Sequence, residues 1–286
     1  LQPILITTPD DARLDEFRNV RDADLLGRRG VFMAEGRFVV RTLLTQSPLR
    51  CRTVLVTPPA WESVRDALEA AAAGPNPPEV LLASQEVMNT VAGFDIHRGC
   101  LAVGERPGAS TMESVLAAAP APPAPAGIVV LENLTNHDNV GSIFRSALAL
   151  GASGVLLSRG CCDPLYRKSI RVSMGAALRL PFASIPDWAE AMAVLKGAGF
   201  TVAALATGAG SQDLDVFASG AAAGAAAGSS VRSRRIALLV GTEGEGLSAE
   251  ALASADVVLR IGMVPGVDSL NAGVAAAVAM HRLFTV

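Results

Sequence analysis

Lysine is nearly missing from this 286-residue chain. Lys168 and Lys196 are the only two, so almost all the positive charge is guanidinium, a planar fork suited to bidentate phosphate contacts. A net positive charge is missing as well. With 24 Lys+Arg against 27 Asp+Glu the formal charge is −3, which excludes the uniformly basic domain that often marks a nucleic-acid binder. Any such partner must be met by local clusters. Histidine is limited to His97, His137 and His281, and Cys51, Cys100, Cys161 and Cys162 form no C-x-x-C pair. The vicinal pair Cys161-Cys162 has the wrong spacing for structural zinc, so no metal site is predicted and the thiols read as reduced, in a cytoplasmic protein. No apolar run reaches membrane-spanning length. Pro9-Asp10-Asp11 interrupts the apolar start and no basic segment precedes it, which reads as no signal peptide. The chain starts at Leu1, so a start methionine or more is expected ahead of it.

What is present is organised at the end of the chain. Two apolar runs of β type, Ile236–Val240 and Val257–Ile261, lead into the glycine-rich loops Gly241–Leu247 and Gly262–Asn271. The second loop feeds an alanine-rich helix over Ala272–Leu283. Short continuous apolar runs mark buried parallel strands, and open α/β sheets bind ligands just past their strand C-termini. The chemistry is therefore expected where the two loops meet. Gly241, Gly244 and Gly246 permit positive φ and close approach of backbone to a ligand. Ser269 or Asn271 is the expected cap of the closing helix. The run G-T-E-G-E-G lacks the lysine of a phosphate-binding P-loop, which removes a nucleotide hydrolase.

Upstream, Asp11–Arg29 carries Leu14, Phe17, Val20, Leu25 and Leu26 at near-helical spacing, and Val31–Leu44 starts as a strand and passes into an amphipathic helix. Short strands are predicted at Cys51–Pro58, Glu79–Ala83 and Cys100–Val103, with a helix at Trp61–Ala73. Pro107, Pro120, Pro122, Pro123 and Pro125 then bracket a short helical piece, Met112–Ala119. Proline-rich sequence is extended and semi-rigid, so a linker over 111–126 separates a first domain, 1–110, from a second, 127–286. The second domain reads as strand Gly127–Glu132, helix Val140–Leu150 ended by Gly151, strands Gly154–Ser158 and Phe200–Leu205, and a helix around Asp187–Ala198. Ser219–Ser230, rich in alanine and glycine, reads as a flexible loop or insertion. Positive charge gathers in two stretches. Arg28, Arg29, Arg37, Arg41, Arg50 and Arg52 are opposed by Glu35 alone; Arg159, Arg167, Lys168, Arg171 and Arg179 are opposed by Asp163 alone.

Three blocks carry a resemblance. N-H-D-N-V-G-S-I-F-R-S-A-L-A-L-G (Asn136–Gly151), L-V-G-T-E-G-E-G-L-S (Leu239–Ser248) and I-G-M-V-P-G-V-D-S-L-N (Ile261–Asn271) resemble, in order, the motifs of the SpoU group of SPOUT RNA methyltransferases. Gly262 stands where that family usually has proline, which implies a looser loop there. The segment Cys161–Phe182 is similar to the part of the family that lies beside the active site and touches RNA. F-M-A-E-G-R-F-V-V and H-R-G-C-L-A-V resemble the small RNA substrate-binding domain, similar in fold to some ribosomal proteins, that precedes the catalytic domain in many members.

The resemblance implies an α/β fold in which the C-terminal SPOUT domain has a parallel sheet and a deep trefoil knot. It implies S-adenosylmethionine (SAM) held largely by backbone groups around Thr207, Gly241, Ile261, Met263 and Leu270, a homodimer, and methyl transfer to a ribose 2′-hydroxyl. The RNA expected is ribosomal, with tRNA as the alternative and a catalytically silent RNA- or SAM-binding module as the competing class. Arg145 is the family's candidate for activating the hydroxyl. Because a guanidinium stays protonated in essentially all protein settings, it is expected to clamp phosphate and ribose and stabilise developing alkoxide. Asn139 and Asn271 orient the ribose or Arg145, Ser269 supports that network, and Glu243 holds the loop or pairs with Arg145. Arg37, Arg167, Lys168 and Arg171 are the expected RNA contacts. No metal is required.

Overall fold

The computed structural model describes residues 1–18, 25–93, 96, 99–108, 110–208, 210–220, 235–267 and 269–284. Its contacts divide the chain into two compact units, Leu1–Gly108 with Asp163–Arg179, and Ala109–Cys162 with Leu180–Val286.

The first unit contains β1 (Ile4–Ile6), β2 (Val31–Glu35), β3 (Cys51–Val56), β4 (Glu79–Ala83) and β5 (Cys100–Glu105), in the sheet order β1-β4-β3-β5-β2. β4 pairs in parallel with β1 and β3, whereas β5 runs antiparallel to β3 and β2. Helices Arg37–Thr45, Pro58–Ala72 and Gln85–Ala92 follow β2, β3 and β4. Proline opens the second of these, where its missing N–H costs nothing. Ser84 caps the third by accepting from the N–H of Val87. Leu14, Phe17 and Leu25 are buried in this core, as their spacing suggests, but the described parts of 11–29, residues 11–18 and 25–29, are not α-helical. Asp11 accepts from both the backbone and the guanidinium of Arg13 and closes a short 3-10 turn, Ala12–Leu14; a π-helical turn follows at Leu25–Arg29. Val20 and His97 lie outside the described residues.

The second unit contains β6 (Ala126–Leu131), β7 (Ala152–Ser158), β8 (Phe182–Ile185), β9 (Thr201–Leu205), β10 (Gln212–Asp213), β11 (Arg235–Val240) and β12 (Val257–Arg260). They form one sheet in the order β10-β12-β9-β11-β6-β7-β8, with every pairing parallel. β6 and β11 lie side by side near its middle, and all their residues are buried. This explains their unbroken apolar runs. Each such Val, Ile or Leu stabilises the fold by about 1.5–3 kcal/mol on burial.

Helix Ala272–Leu283 packs against helix His137–Ala149. The approach is close enough that a side chain at Gly273 would run into Ser142. Gly151, at φ 82°, turns the chain out of the latter helix into β7. The segment 111–126, expected as a linker, is built into this unit: Met112 and Val115 sit in its core, and Arg235 grips the carbonyls of Pro120 and Ala124. Ser219 and Gly220 form a turn after helix Leu214–Ala218, and the remainder of Ser219–Ser230 lies outside the described residues. Among the described residues no helix is long and apolar enough to cross a membrane.

Candidate functional site

In the parallel sheet of the second unit, β11, β9 and β12 end next to one another, and their three following loops meet. Between them lies a cavity of about 690 Å³, lined by residues 205–207, 240–247, 259–261, 263 and 269–272 with Leu252 and Ala275. That volume is in the range of small-molecule sites.

The glycine-rich loop after β11 is folded back tightly. Thr242 and Gly246 pair across it, and a Cβ on Gly241 would run into the backbone of Gly246 and Leu247. Both ends of the loop are tied down by a carboxylate. At the far end, Glu132 is buried directly after β6 and accepts from the N–H of Ser248 at 2.8 Å and from its Oγ at 2.6 Å. Ser248 in turn caps helix Ala249–Ser254 by accepting from the N–H of Ala251. At the near end, Glu243 Oε1 accepts from Asn271 Nδ2 at 2.6 Å and from the N–H of Ala272 at 3.4 Å. This puts a carboxylate at the positive end of the closing helix.

Asn271 is the cap of that helix, and its Oδ1 accepts from the N–H of Val274 at 3.1 Å. Its Nδ2 also donates to Oδ1 of Asn139 at 2.9 Å. Asn139 is buried in the first turn of helix His137–Ala149, which Asn136 caps by accepting from the N–H of Asp138. With its oxygen engaged, Asn139 keeps its amide N–H groups for another acceptor. Of the residues expected from sequence, Thr207, Gly241, Glu243, Ile261, Met263, Ser269, Leu270 and Asn271 all line the one cavity, and Asn139 joins it through Asn271. Ser269 is exposed.

Arg145 is not in that lining. It is exposed, with no hydrogen bond or ion pair among the described residues, so of the two roles expected for Glu243, holding the loop or pairing with Arg145, the contact present is the one with Asn271 and Ala272. Sequence reasoning passed over Glu132, whose signal is a lone carboxylate directly after a fully apolar strand. It also passed over Arg260, which lines the cavity and donates to the carbonyl of Ser211.

Arg37, Arg167, Lys168 and Arg171 are all in the first unit. Helix Arg167–Val172 packs on β2, and Arg171 stands 3.7 Å from the Glu35 carboxylate. The four cysteines are free. Burial pushes the thiols of Cys51 and Cys100 up to about 12 and raises that of Cys161, so none of these three is a ready nucleophile. Among the described residues no group of three His, Cys, Asp or Glu side chains is placed to hold a metal ion.

Comparison with known proteins places the chain among methyltransferases by sequence and fold. The model of the SpoU rRNA Methylase family matches residues 126–281. A protein of Mycobacterium bovis, described as an uncharacterised tRNA/rRNA methyltransferase, is 38% identical over 97% of this chain and 90% of its own length. The AdoMet-bound rRNA methyltransferase of Sinorhizobium meliloti superposes with a TM-score of 0.76 at 24% identity, covering 98% of this chain and 96% of that one. A solved RNA 2′-O ribose methyltransferase superposes with a TM-score of 0.70 at 25% identity, over 98% of each chain.

Proposed function

Because the chain belongs to the SpoU rRNA Methylase family, a family of RNA methyltransferases, we propose that it methylates a ribose 2′-hydroxyl in ribosomal RNA, using SAM. The observation that carries this reading is the single cavity whose walls hold both the glycine-rich loops and the Asn271–Glu243 pair, with Asn139 attached.

The cavity fits the cofactor on its own terms. It has the volume of a small-molecule site and is lined mostly by uncharged loop residues, with Glu243, Glu245 and Arg260 as its charged members. Gly241, Ile261, Met263 and Leu270, with Thr207, would hold SAM, and Glu132 and Glu243 fix the loop that contributes most of the wall. SAM supplies a methyl group already activated as a sulfonium.

The chain's own residues must supply position and charge. Asn139, its oxygen fixed by Asn271, offers amide N–H groups that orient the ribose. Ser269, exposed at the rim, supports that contact. Arg145 stays a cation, clamps phosphate and ribose, and steadies the alkoxide as the hydroxyl proton leaves to water or a phosphate oxygen. An arginine without a carboxylate partner among the described residues suits a group that finds its counter-charge in RNA.

The same reading includes a knotted closing segment, an RNA-binding role for the first unit and a homodimer. The dimer is supported by exposed Val264, Val267, Leu270, Val274 and Val278 on the closing loop and helix. Apolar side chains grouped in this way mark an interaction surface.

The test is transfer of labelled methyl from SAM to deproteinised bacterial ribosomal RNA and to bulk tRNA, with Arg145→Ala alongside. Label in ribosomal RNA, lost with the variant, supports the reading. Label in tRNA alone replaces the substrate. No label despite SAM binding favours the silent module.

A further inference from the structure

The cavity wall holds few charged side chains, and one of them is left without a bond. Among the described residues they are Glu243, Glu245 and Arg260. Glu243 is engaged by Asn271 and by the N–H of Ala272. Arg260 donates to the carbonyl and the Oγ of Ser211. Glu245 makes no hydrogen bond or ion pair among the described residues. Its place is nevertheless fixed. It stands in the turn after β11 between Gly244, at φ 90°, and Gly246, at φ 73°, conformations that favour glycine. The N–H of Gly246 closes that turn by donating to the carbonyl of Thr242 at 3.0 Å. The wall thus carries two carboxylates against one guanidinium, and the unengaged carboxylate sits on a tied-down turn.

Two carboxylates in one partly enclosed cavity repel each other, and a cationic ligand relieves that cost. SAM matches the balance of the wall. It carries a sulfonium and an ammonium against one carboxylate, which leaves one positive charge in excess. On methyl transfer the S–CH3 bond breaks and its electron pair stays on sulfur. The methyl carbon bonds to the ribose oxygen, and the hydroxyl proton leaves to water or a phosphate oxygen. The spent cofactor, S-adenosylhomocysteine (SAH), is a neutral thioether with no charge in excess. A contact with the adenine, the ribose or the amino acid part would serve both ligands equally. A carboxylate fixed in the wall separates them by the one charge in which they differ.

We propose that Glu245 is a specificity residue that biases the cavity toward SAM and against SAH, so that the spent cofactor leaves more readily. The charge acts through space across the cavity and needs no hydrogen bond to the sulfur. This rests on the reading of the cavity as the SAM site and adds a residue that tells the loaded cofactor from the spent one.

The experiment compares the full chain with Glu245→Gln and Glu245→Asp. Affinities for SAM, for SAH and for sinefungin, which has a charged amine in place of the sulfonium, are measured by titration calorimetry at low salt. Melting temperature is the control. In Glu245→Gln, SAM and sinefungin are expected to bind about three- to tenfold more weakly with SAH unchanged, the scale of one partly screened charge pair. Glu245→Asp is expected to stay closer to wild type. Equal weakening of SAM and SAH would overturn the discrimination in favour of a contact that both ligands share. Unchanged affinities for all three, or an aspartate variant that behaves as the glutamine one, would overturn the role of the charge. Ala275→Phe, which narrows the cavity, is measured alongside and is expected to weaken SAM and SAH together. Undiminished binding of both by that variant, with a normal melting temperature, would overturn the placing of the cofactor in this cavity and this inference with it.

Discussion

A single amide nitrogen, Nδ2 of Asn271, donates to Asn139 at 2.9 Å and to Glu243 at 2.6 Å, while the oxygen of the same amide caps the closing helix. Both ends of one small side chain are thus committed. Replacing it by aspartate separates these roles. In Asn271→Asp the carboxylate still accepts from Val274 and still sits well at a helix N-terminus. It can donate to nothing, however, and it faces the carboxylate of Glu243. The melting temperature is expected to stay within a few degrees of wild type, while methyl transfer falls by about ten- to a hundredfold, the scale of one or two lost charge-assisted bonds. Melting curves and initial rates measured side by side check this. A variant that melts normally and turns over at the wild-type rate would remove Asn271 from the working site.

At the scale of elements, Arg235 shows how one residue joins distant pieces. It opens β11, donates from Nη1 to the carbonyls of Pro120 at 2.5 Å and Ala124 at 3.3 Å and from Nε to that of Ala198 at 3.2 Å, and lies over the ring of Phe200. Arg235→Met keeps an unbranched apolar stem and leaves those carbonyls without their donor. A loss of about 2–3 kcal/mol is expected in urea unfolding, with an unchanged slope. No loss would mean that the proline-rich segment is not held by this residue.

The same contact explains what could and could not be read from sequence. β6 and β11 were legible because a strand buried on both faces needs an unbroken apolar run, and β9 and β12, only partly buried, because their apolar runs are as short and continuous. β1 and β10 were not, since three and two residues carry no period. The 111–126 segment looks like a free linker because its partner, Arg235, stands 115 residues from Pro120. The apolar spacing marked Leu14, Phe17 and Leu25 as buried but not the 3-10 turn at Ala12–Leu14, which the bonds of Asp11 to Arg13 hold.

At the scale of the whole molecule, the wall of the cavity was legible because strand ends and glycine-rich loops imply it. The pairing inside it was not. Asn139 and Asn271 are 132 residues apart, and nothing local in either segment specifies their bond or the choice of Asn271 as the partner of Glu243. The two basic stretches likewise read as separate until the fold gathered Arg37 and Arg171 into one unit. The exposed valines of the closing helix lead to a further expectation. Val274 and Val278 are one turn apart and both exposed, so Val274→Asp with Val278→Asp places two charges on the proposed dimer surface. Light scattering should give twice the chain mass for wild type and close to the single mass for the double variant, with methyl transfer lost. A fully active wild-type monomer would contradict the dimer.

The most direct test of the central claim is the chemical position of the transferred methyl group. RNA labelled by this chain and SAM is hydrolysed completely in alkali, which needs a free 2′-hydroxyl to cut the neighbouring phosphodiester. The account predicts label in alkali-resistant dinucleotides. Label recovered in single nucleotides would mean that the methyl group went to a base, and the ribose chemistry assigned to Asn139, Arg145 and Asn271 would be wrong.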